Sequence, residues 1–337
     1  MPSPHAPTGT ARAPEARAEE LASRLTAAAS ERKRMLVIVN PYATTVSDRL
    51  RNLVVYALQS RYDVEAVDTE RRDHATQICR EAASEGYDVV VAFGGDGTVN
   101  EAANGLIGSD TPLSCLPGGA TNVFHRTLGI PGDVVDATEH LLGIADDFRP
   151  RKVDLGLVNG RAFVFSSGVG LDASVVERVD AHPRLKARLG EYYYTWAAFS
   201  TFNKRYLVRP PRMRVTVDGS TVDAVTVVAQ NSDPFTYFGS RPIRVCEGAG
   251  LHTGSLGVAA LRKATVLELP TLIPRLFSGR AATVSKHRQI EPCPGVQEAL
   301  VESADGRPLP VQVDGDYIGA QQSVRYSAAP AALTVVS

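Results

Sequence analysis

Two rhythms of apolar residues divide this chain. Up to about residue 150, short solid runs of strand-forming residues alternate with stretches whose apolar positions recur every three or four residues. Met35–Ala43 is an apolar run ended by Asn-Pro, a strand passing into a loop. Over Asp48–Leu58 the apolar positions 50, 53, 54 and 58 predict a helix. Asp63–Thr69 alternates as a strand does. His74–Ser84 puts Ala75, Ile78, Ala82 and Ala83 on one helical face and stops at Gly86, after which Asp88–Phe93 is another solid run. Strand, helix, strand, helix, strand in this order predicts βαβ units and a parallel sheet, with ligands at the strand C-termini.

After Pro150 the rhythm shortens. Asn159-Gly160 and Asp218-Gly219 each separate two alternating runs, a strong hairpin signal. Further short strands are expected at 256–261, 284–290, 298–302 and 309–314. The second half is therefore read as mostly antiparallel β, with the boundary near 148–153. This gives one domain over 34–150 and another over 151–337, preceded by an extension, 1–33. In that extension Met1–Ala13 is expected to be disordered and Pro14–Arg34 to form an exposed helix.

Composition adds exclusions. The formal net charge of −1 provides no global field toward nucleic acid, so no nucleic-acid partner is expected and any membrane attraction must be local. The cysteines at 79, 115, 246 and 293 form neither a CxxC pair nor a zinc pattern and suit a reducing compartment. No run approaches the roughly 18 apolar residues of a membrane span. The N-terminus lacks the apolar core of a secretory signal; a cytoplasmic location is expected. One segment stands apart. Pro183–Arg214 carries eight Lys/Arg against one acid, Glu191, and places Tyr192, Trp196 and Phe199 at helical spacing. It reads either as a core helix with a solvated cationic edge or as a peripheral contact with an anionic membrane.

The candidate chemistry lies where the run Val89–Phe93 meets Gly94-Gly95-Asp96-Gly97-Thr98 and a helical pattern begins. The free N–H groups of a first helical turn attract anions. Glycines at 94, 95 and 97 permit close backbone approach and positive φ, and Thr98 adds a hydroxyl. Asp96 is then out of place beside phosphate unless a divalent cation or a transferable proton lies between them. In an isolated loop it would be read as a plain helix cap. A second glycine turn within Cys115–Pro131 also joins an apolar segment to a helix, and the pair favours a nucleotide site. Neither turn carries the Walker or the dinucleotide fingerprint.

VNPYA (Val39–Ala43), GGDGTVNEAANGL (Gly94–Leu106) and LPGGATNVFHRTLGIP (Leu116–Pro131), in this order, resemble the diacylglycerol kinase catalytic-domain family. The likeness is greatest to its soluble bacterial lipid kinases, with sphingosine and ceramide kinases as relatives, and spans about residues 34–330. It implies an α/β nucleotide-binding domain with a parallel sheet, then a mostly antiparallel β-sandwich for the lipid, whose C-terminal end returns to the first domain. It also implies ATP and Mg²⁺, transfer of the γ-phosphate to a lipid hydroxyl with diacylglycerol as the leading acceptor, peripheral membrane association, and a homodimer as is common among relatives.

Carried over by position, Asn40 and Pro41 line the adenosine or phosphate side and Thr69 contacts the nucleotide. Gly94, Gly95, Asp96, Gly97 and Thr98 wrap the phosphates, Asn100 and Glu101 support that loop, and Thr121 and Asn122 complete the pocket. The family's late Asp-Gly-Glu is here Asp314-Gly315-Asp316. Asp316 is expected to be the general base, with Asp96 as the alternative and Asp314 as a supporting carboxylate. Aspartate is shorter by one methylene, about 1 Å, a displacement large enough to matter to catalysis. Related enzymes hold a structural Mg²⁺ in an Asp-Gly-x-Leu-Asp turn. Here Thr253 and Gly257 stand where the acids would be, and a neutral hydroxyl is a poor ligand, so the structural metal is expected to be absent or weakly held and no metal ligands are assigned. The other readings are a nucleotide- and lipid-binding regulator without catalysis and an NAD kinase, although the PGGATN turn and the Asp-Gly-Asp motif are not the latter's pattern.

Overall fold

The computed structural model describes residues 32–43, 45–181 and 210–337. The expected N-terminal helix lies outside these residues except for its end, where Arg34 already opens a strand. All but the last few residues of the basic–aromatic segment 183–214 lie outside them too.

β1 (Arg34–Val39), α1 (Asp48–Leu58), β2 (Asp63–Asp68), α2 (His74–Glu85), β3 (Val89–Gly94), α3 (Asp96–Leu106) and β4 (Leu113–Pro117) form successive βα units. The strands lie in the order β2-β1-β3-β4, all parallel. β3 and β4 are buried along their whole length, which is why they read as unbroken apolar runs. Ser47 caps α1 by accepting a hydrogen bond from Leu50 N, and Gly86 ends α2 with φ at 75°. α4 (Val123–Thr127) and α5 (Val134–Ile144) complete this half.

The second half begins with β5 (Arg151–Val158), β6 (Arg161–Phe163), β7 (Ser166–Val169), α6 (Leu171–Asp180), β8 (Met213–Val217), β9 (Ser220–Ala224) and β10 (Thr226–Gln230). It continues through β11 (Thr236–Phe238), β12 (Arg241–Ile243), β13 (Leu256–Leu261), α7 (Leu269–Leu276), α8 (Ala281–Ser285) and β14 (Ile290–Val296). β15 (Glu298–Ser303), β16 (Leu309–Val313), β17 (Asp316–Gln321) and β18 (Ser323–Val335) end it. One sheet of the sandwich has the order β14-β13-β10-β7-β16-β17. Apart from β11 and β12, which pair only with each other, the other strands extend the first sheet, in the order β4-β18-β15-β8-β9, with β5 on β18 and β6 on β5. Between the sheets lie Val169, Val227, Val258, Val311 and the edge-to-face pair Phe163–Tyr326. β18 pairs antiparallel with β5 and then, at Val335, parallel with Leu113 of β4, so the last strand ties the sandwich to the α/β half.

The turns at Asn159-Gly160, Asp218-Gly219 and Asp314-Gly315 have positive φ at both central residues, as type I′ hairpins require. The strand expected at 284–290 is not formed. Residues 281–285 are helical, and pairing begins only at Ile290. α7 has no buried residue and contains Pro274, so it leaves no buried stripe for a periodicity reading to detect.

Candidate active site

The glycines of the two turns pack against each other. Gly118 N donates to Gly94 O at 2.9 Å. A methyl group placed on Gly118 would lie 2.7 Å from Gly94 Cα, and one on Gly119 would lie 2.8 Å from Gly95 Cα. None of Gly94, Gly95, Gly97, Gly118 and Gly119 has positive φ, contrary to expectation; close backbone approach is what demands glycine here. Asn122, at φ 48°, closes the second turn: its Oδ1 accepts from Gly119 N at 2.8 Å and its Nδ2 donates to Gly119 O at 2.6 Å. Asn40 Nδ2 donates to Thr98 Oγ1 at 3.2 Å, and Thr45 N donates to Gly118 O at 3.3 Å, so the loop after β1 meets both glycine turns. Thr69 is buried and its N–H donates to Val39 O. Pro41 is exposed and Thr121 partly so.

Three carboxylates converge on the N-terminal half of α3. Asp314, at the β16–β17 turn, is buried and accepts four hydrogen bonds: Val164 N at 2.7 Å, Phe165 N and Ser166 N at 3.0 Å, and Asn100 Nδ2 at 2.7 Å. Burial pushes this carboxyl up to about 6 against the pull of those donors. Asp96 is partly exposed, and its Oδ1 accepts from Phe124 N at 3.3 Å, which couples α3 to the start of α4. Burial first, then the Asp314 and Asp316 charges, push Asp96 up to about 7, while amide donors at Phe124 and Val123 oppose the shift. Asp316, two residues beyond Asp314, is partly exposed and reaches α3: a methyl group on Gly97 would lie 2.6 Å from its Oδ2.

Asn100 and Glu101 do different work. Asn100 also donates to Ala162 O, joining α3 to the β5–β6 hairpin. Glu101 accepts from Asp73 N at 2.9 Å and Ala75 N at 3.1 Å, capping α2, whose own N-cap Asp73 makes no side-chain cap.

The sequence reading missed the cations. A cleft of about 720 Å³ beside this site is lined by Arg71, Arg72, Arg80 and Arg161, with Asp73, Gln77 and Asn104. Arg161 donates to Asn100 Oδ1 at 3.2 Å and pairs with Asp73, and Arg72 donates to Tyr317 O at 3.1 Å. The Arg71-Arg72 pair directly after a parallel strand was the available signal, since that is where α/β sheets bind ligands.

Among the described residues, no three His, Cys, Asp or Glu side chains are grouped to hold a metal ion by themselves. Asp96, partly open to solvent at the N-terminus of α3, fits a Mg²⁺ whose remaining ligands are phosphate oxygens and water. In the turn 250–258, Thr253 Oγ1 donates to Gly250 O and Ser255 O, and Gly254 N donates to Asp154 Oδ2.

Residues 34–158 match the model of the diacylglycerol kinase catalytic domain, and residues 165–337, just over half of the chain, match that of the YegS C-terminal NAD kinase beta sandwich-like domain. The diacylglycerol kinase of Bacillus subtilis is 32% identical over 193 residues, covering 56% of this chain and 60% of that protein. That of Staphylococcus aureus is 30% identical over 195 residues, covering 56% and 58%. The alignments thus span less than two thirds of these relatives. A crystal structure of a candidate diacylglycerol kinase from Bacillus anthracis superposes with TM-score 0.71 at 25% identity, covering 90% of this chain and 95% of that one. A second structure from that organism, at TM-score 0.63 and 21% identity, shares the fold. With both halves matched in order and the glycine turns and late carboxylates meeting in one site, this chain belongs to the diacylglycerol kinase catalytic-domain family, with the YegS-type C-terminal sandwich.

Proposed function

We propose that this protein is an ATP-dependent lipid kinase that transfers the γ-phosphate to a lipid hydroxyl, with diacylglycerol as the first acceptor to test. The observation that carries the reading is the convergence of Asp96, Asp314 and Asp316 on the N-terminal half of α3 beside a cleft rich in arginine. Phosphoryl transfer requires positioning and charge neutralisation more than covalent assistance. The α3 N-terminus and the arginines supply that charge, and the names of the relatives support the lipid acceptor.

In this mechanism Asn40, Pro41, Thr69, Thr121 and Asn122 border the nucleotide, and the amides at 95–98 face its phosphates. Asp96 would hold a Mg²⁺ at this turn, and the chemistry such an ion would supply when bound is charge neutralisation at the phosphates. Asp316 accepts the proton as the lipid oxygen bonds to the γ-phosphorus and the bond to the ADP oxygen breaks. Asp314 is a positioning residue: its four hydrogen bonds fix the turn that presents Asp316. Asp96 is the alternative base, a role that excludes its holding the metal.

The test is transfer of labelled γ-phosphate from ATP and Mg²⁺ to a panel of lipids in mixed micelles. Asp316→Ala should lower kcat by about 10²-fold or more while Asp316→Glu retains transfer. Nucleotide binding without transfer to any lipid would replace the kinase by the regulator. Segment 183–214, expected to contact the membrane, lies almost wholly outside the described residues.

A further inference from the structure

One face of the sandwich displays apolar residues on a braced support. The connection from β13 to β14 contains the turn Val266–Glu268, α7 and α8. Val266, Leu267, Ile273 and Phe277 are 53%, 84%, 46% and 45% exposed. Phe238, on β11, meets Phe277 edge to face with centroids 5.6 Å apart and is itself 39% exposed. These five are half of the ten large apolar residues exposed among the described residues, and four of the five lie on this one connection. Its inner side is fixed. Leu276 packs against the cluster of Val245, Cys246 and Ala259, Val284 is buried, and Glu268 holds Arg288 and Gln289. Thr271 Oγ1 meets the buried His287 Nε2 at 3.0 Å. The exposed side chains are therefore presented by an anchored scaffold.

The charge along this connection is mostly positive. Residues 262–288 contain Arg262, Lys263, Arg275, Arg280, Lys286 and Arg288 against a single acid, Glu268, in a chain of net charge −1. Arg288 pairs with Glu268 and Arg262 with Glu291, whereas Lys263, Arg280 and Lys286 are exposed and have no ion-pair partner among the described residues. Apolar side chains at the centre and cations at the rim are the chemistry of an interfacial element on an anionic bilayer. A second copy suits the face less well: a two-fold contact would set the basic rim against itself, with like charges opposed.

We infer that this face docks the protein on an anionic lipid bilayer, with Leu267, Ile273 and Phe277 entering the headgroup–acyl boundary and Lys263, Arg280 and Lys286 contacting acidic headgroups. The β11–β12 hairpin connects the face to the candidate site. Tyr237 lies under the guanidinium of Arg126 at 4.4 Å, and Gly239 O accepts from Arg126 Nη1 at 3.2 Å. Arg126 belongs to α4, which holds Asp96 at Phe124 N. A bilayer at this face therefore contacts the hairpin that braces one wall of the site. The biological purpose of docking rests on the lipid-kinase reading; the docking itself does not.

The experiment is sedimentation of the full chain with phosphatidylcholine vesicles, with and without phosphatidylglycerol, in the absence of nucleotide. Wild type should bind the phosphatidylglycerol vesicles and release them as salt rises. Leu267→Asp should weaken binding about tenfold or more, and Lys263→Glu, Arg280→Glu and Lys286→Glu together about a hundredfold, at roughly fivefold per basic residue. Thermal melting and nucleotide binding, unchanged in both variants, establish that they fold. Wild-type affinity in both variants overturns the proposal, as does a dimer in solution that Leu267→Asp dissociates while vesicle binding persists. A wild type that docks through Leu267 yet phosphorylates no lipid upholds the docking face and removes only the kinase reading.

Discussion

Asp314 and Asp316 stand two residues apart, and replacing each alone should separate holding the site from using it. Asp314→Ala leaves Val164 N, Phe165 N and Ser166 N without their acceptor, while Asn100 retains its bond to Ala162 O. An unpaired buried donor costs about 1–3 kcal/mol, so three cost roughly 6 kcal/mol. Relief from burying a charge works the other way. A carboxyl raised from 3.8 to about 6 disfavours its ionised form by about 3 kcal/mol at pH 8. The net loss at pH 8 is therefore about 3 kcal/mol, a large share of the roughly 5–15 kcal/mol that stabilises a domain. Because the folded pKa is raised, wild-type stability falls as pH climbs from the unfolded value toward 6, so the deficit of the variant should be about 1 kcal/mol larger at pH 5 than at pH 8. Asp316→Ala removes a partly exposed side chain and should change stability by less than about 1 kcal/mol while abolishing transfer. Urea denaturation followed by circular dichroism at both pH values, beside the transfer assay, reads all of this. An Asp314→Ala protein as stable as wild type, or a deficit that shrinks on acidification, would refute the reasoning.

Gly119→Ala would press a methyl group against Gly95 Cα at 2.8 Å, and neither backbone can yield freely; we expect a loss of about 1–3 kcal/mol and at least a tenfold drop in nucleotide affinity by calorimetry. Glu101→Ala should cost about 1 kcal/mol by uncapping α2 while leaving the carboxylates in place, so melting should shift more than turnover. Asp96→Asn should lose activity yet gain stability relative to wild type as pH rises from 5 to 8, because the wild-type carboxyl, pushed up to about 7, ionises at a cost in that window. Allowing for its partial exposure, the gain is about 1 kcal/mol, and thermal melts at the two pH values measure it.

The α/β half was legible because strands buried on both faces leave unbroken apolar runs, and α1 ends where its apolar positions end. The hairpins at 159, 218 and 314 were marked by Asn-Gly or Asp-Gly, since only a few residue types accept positive φ at both centres. Gly94 and Asp96 could be singled out from the sequence; the reason for the glycines could not. It lies in contacts between turns some two dozen residues apart, at Gly94–Gly118 and Gly95–Gly119. Asp314 likewise reads locally as a turn residue, and only the folded chain brings it donors from 164–166 and from Asn100. Arg71 and Arg72 were visible but became a cleft only when the hairpin delivered Arg161.

The same long-range contacts constrain how the site can open. Asn100 of α3 bonds Asp314, Arg72 at the edge of α2 bonds Tyr317 O, and Arg161 of the β5–β6 hairpin bonds Asn100. β18 meanwhile runs along β5 and ends against β4. A hinge that parted the two halves at the carboxylates would break these bonds and take from Asp314 one of its four donors. Closing loops this long costs only a logarithm of their length, so a few well-satisfied hydrogen bonds suffice to hold them shut. Access to Asp316 is therefore expected through its partly exposed edge, without separation of the two halves.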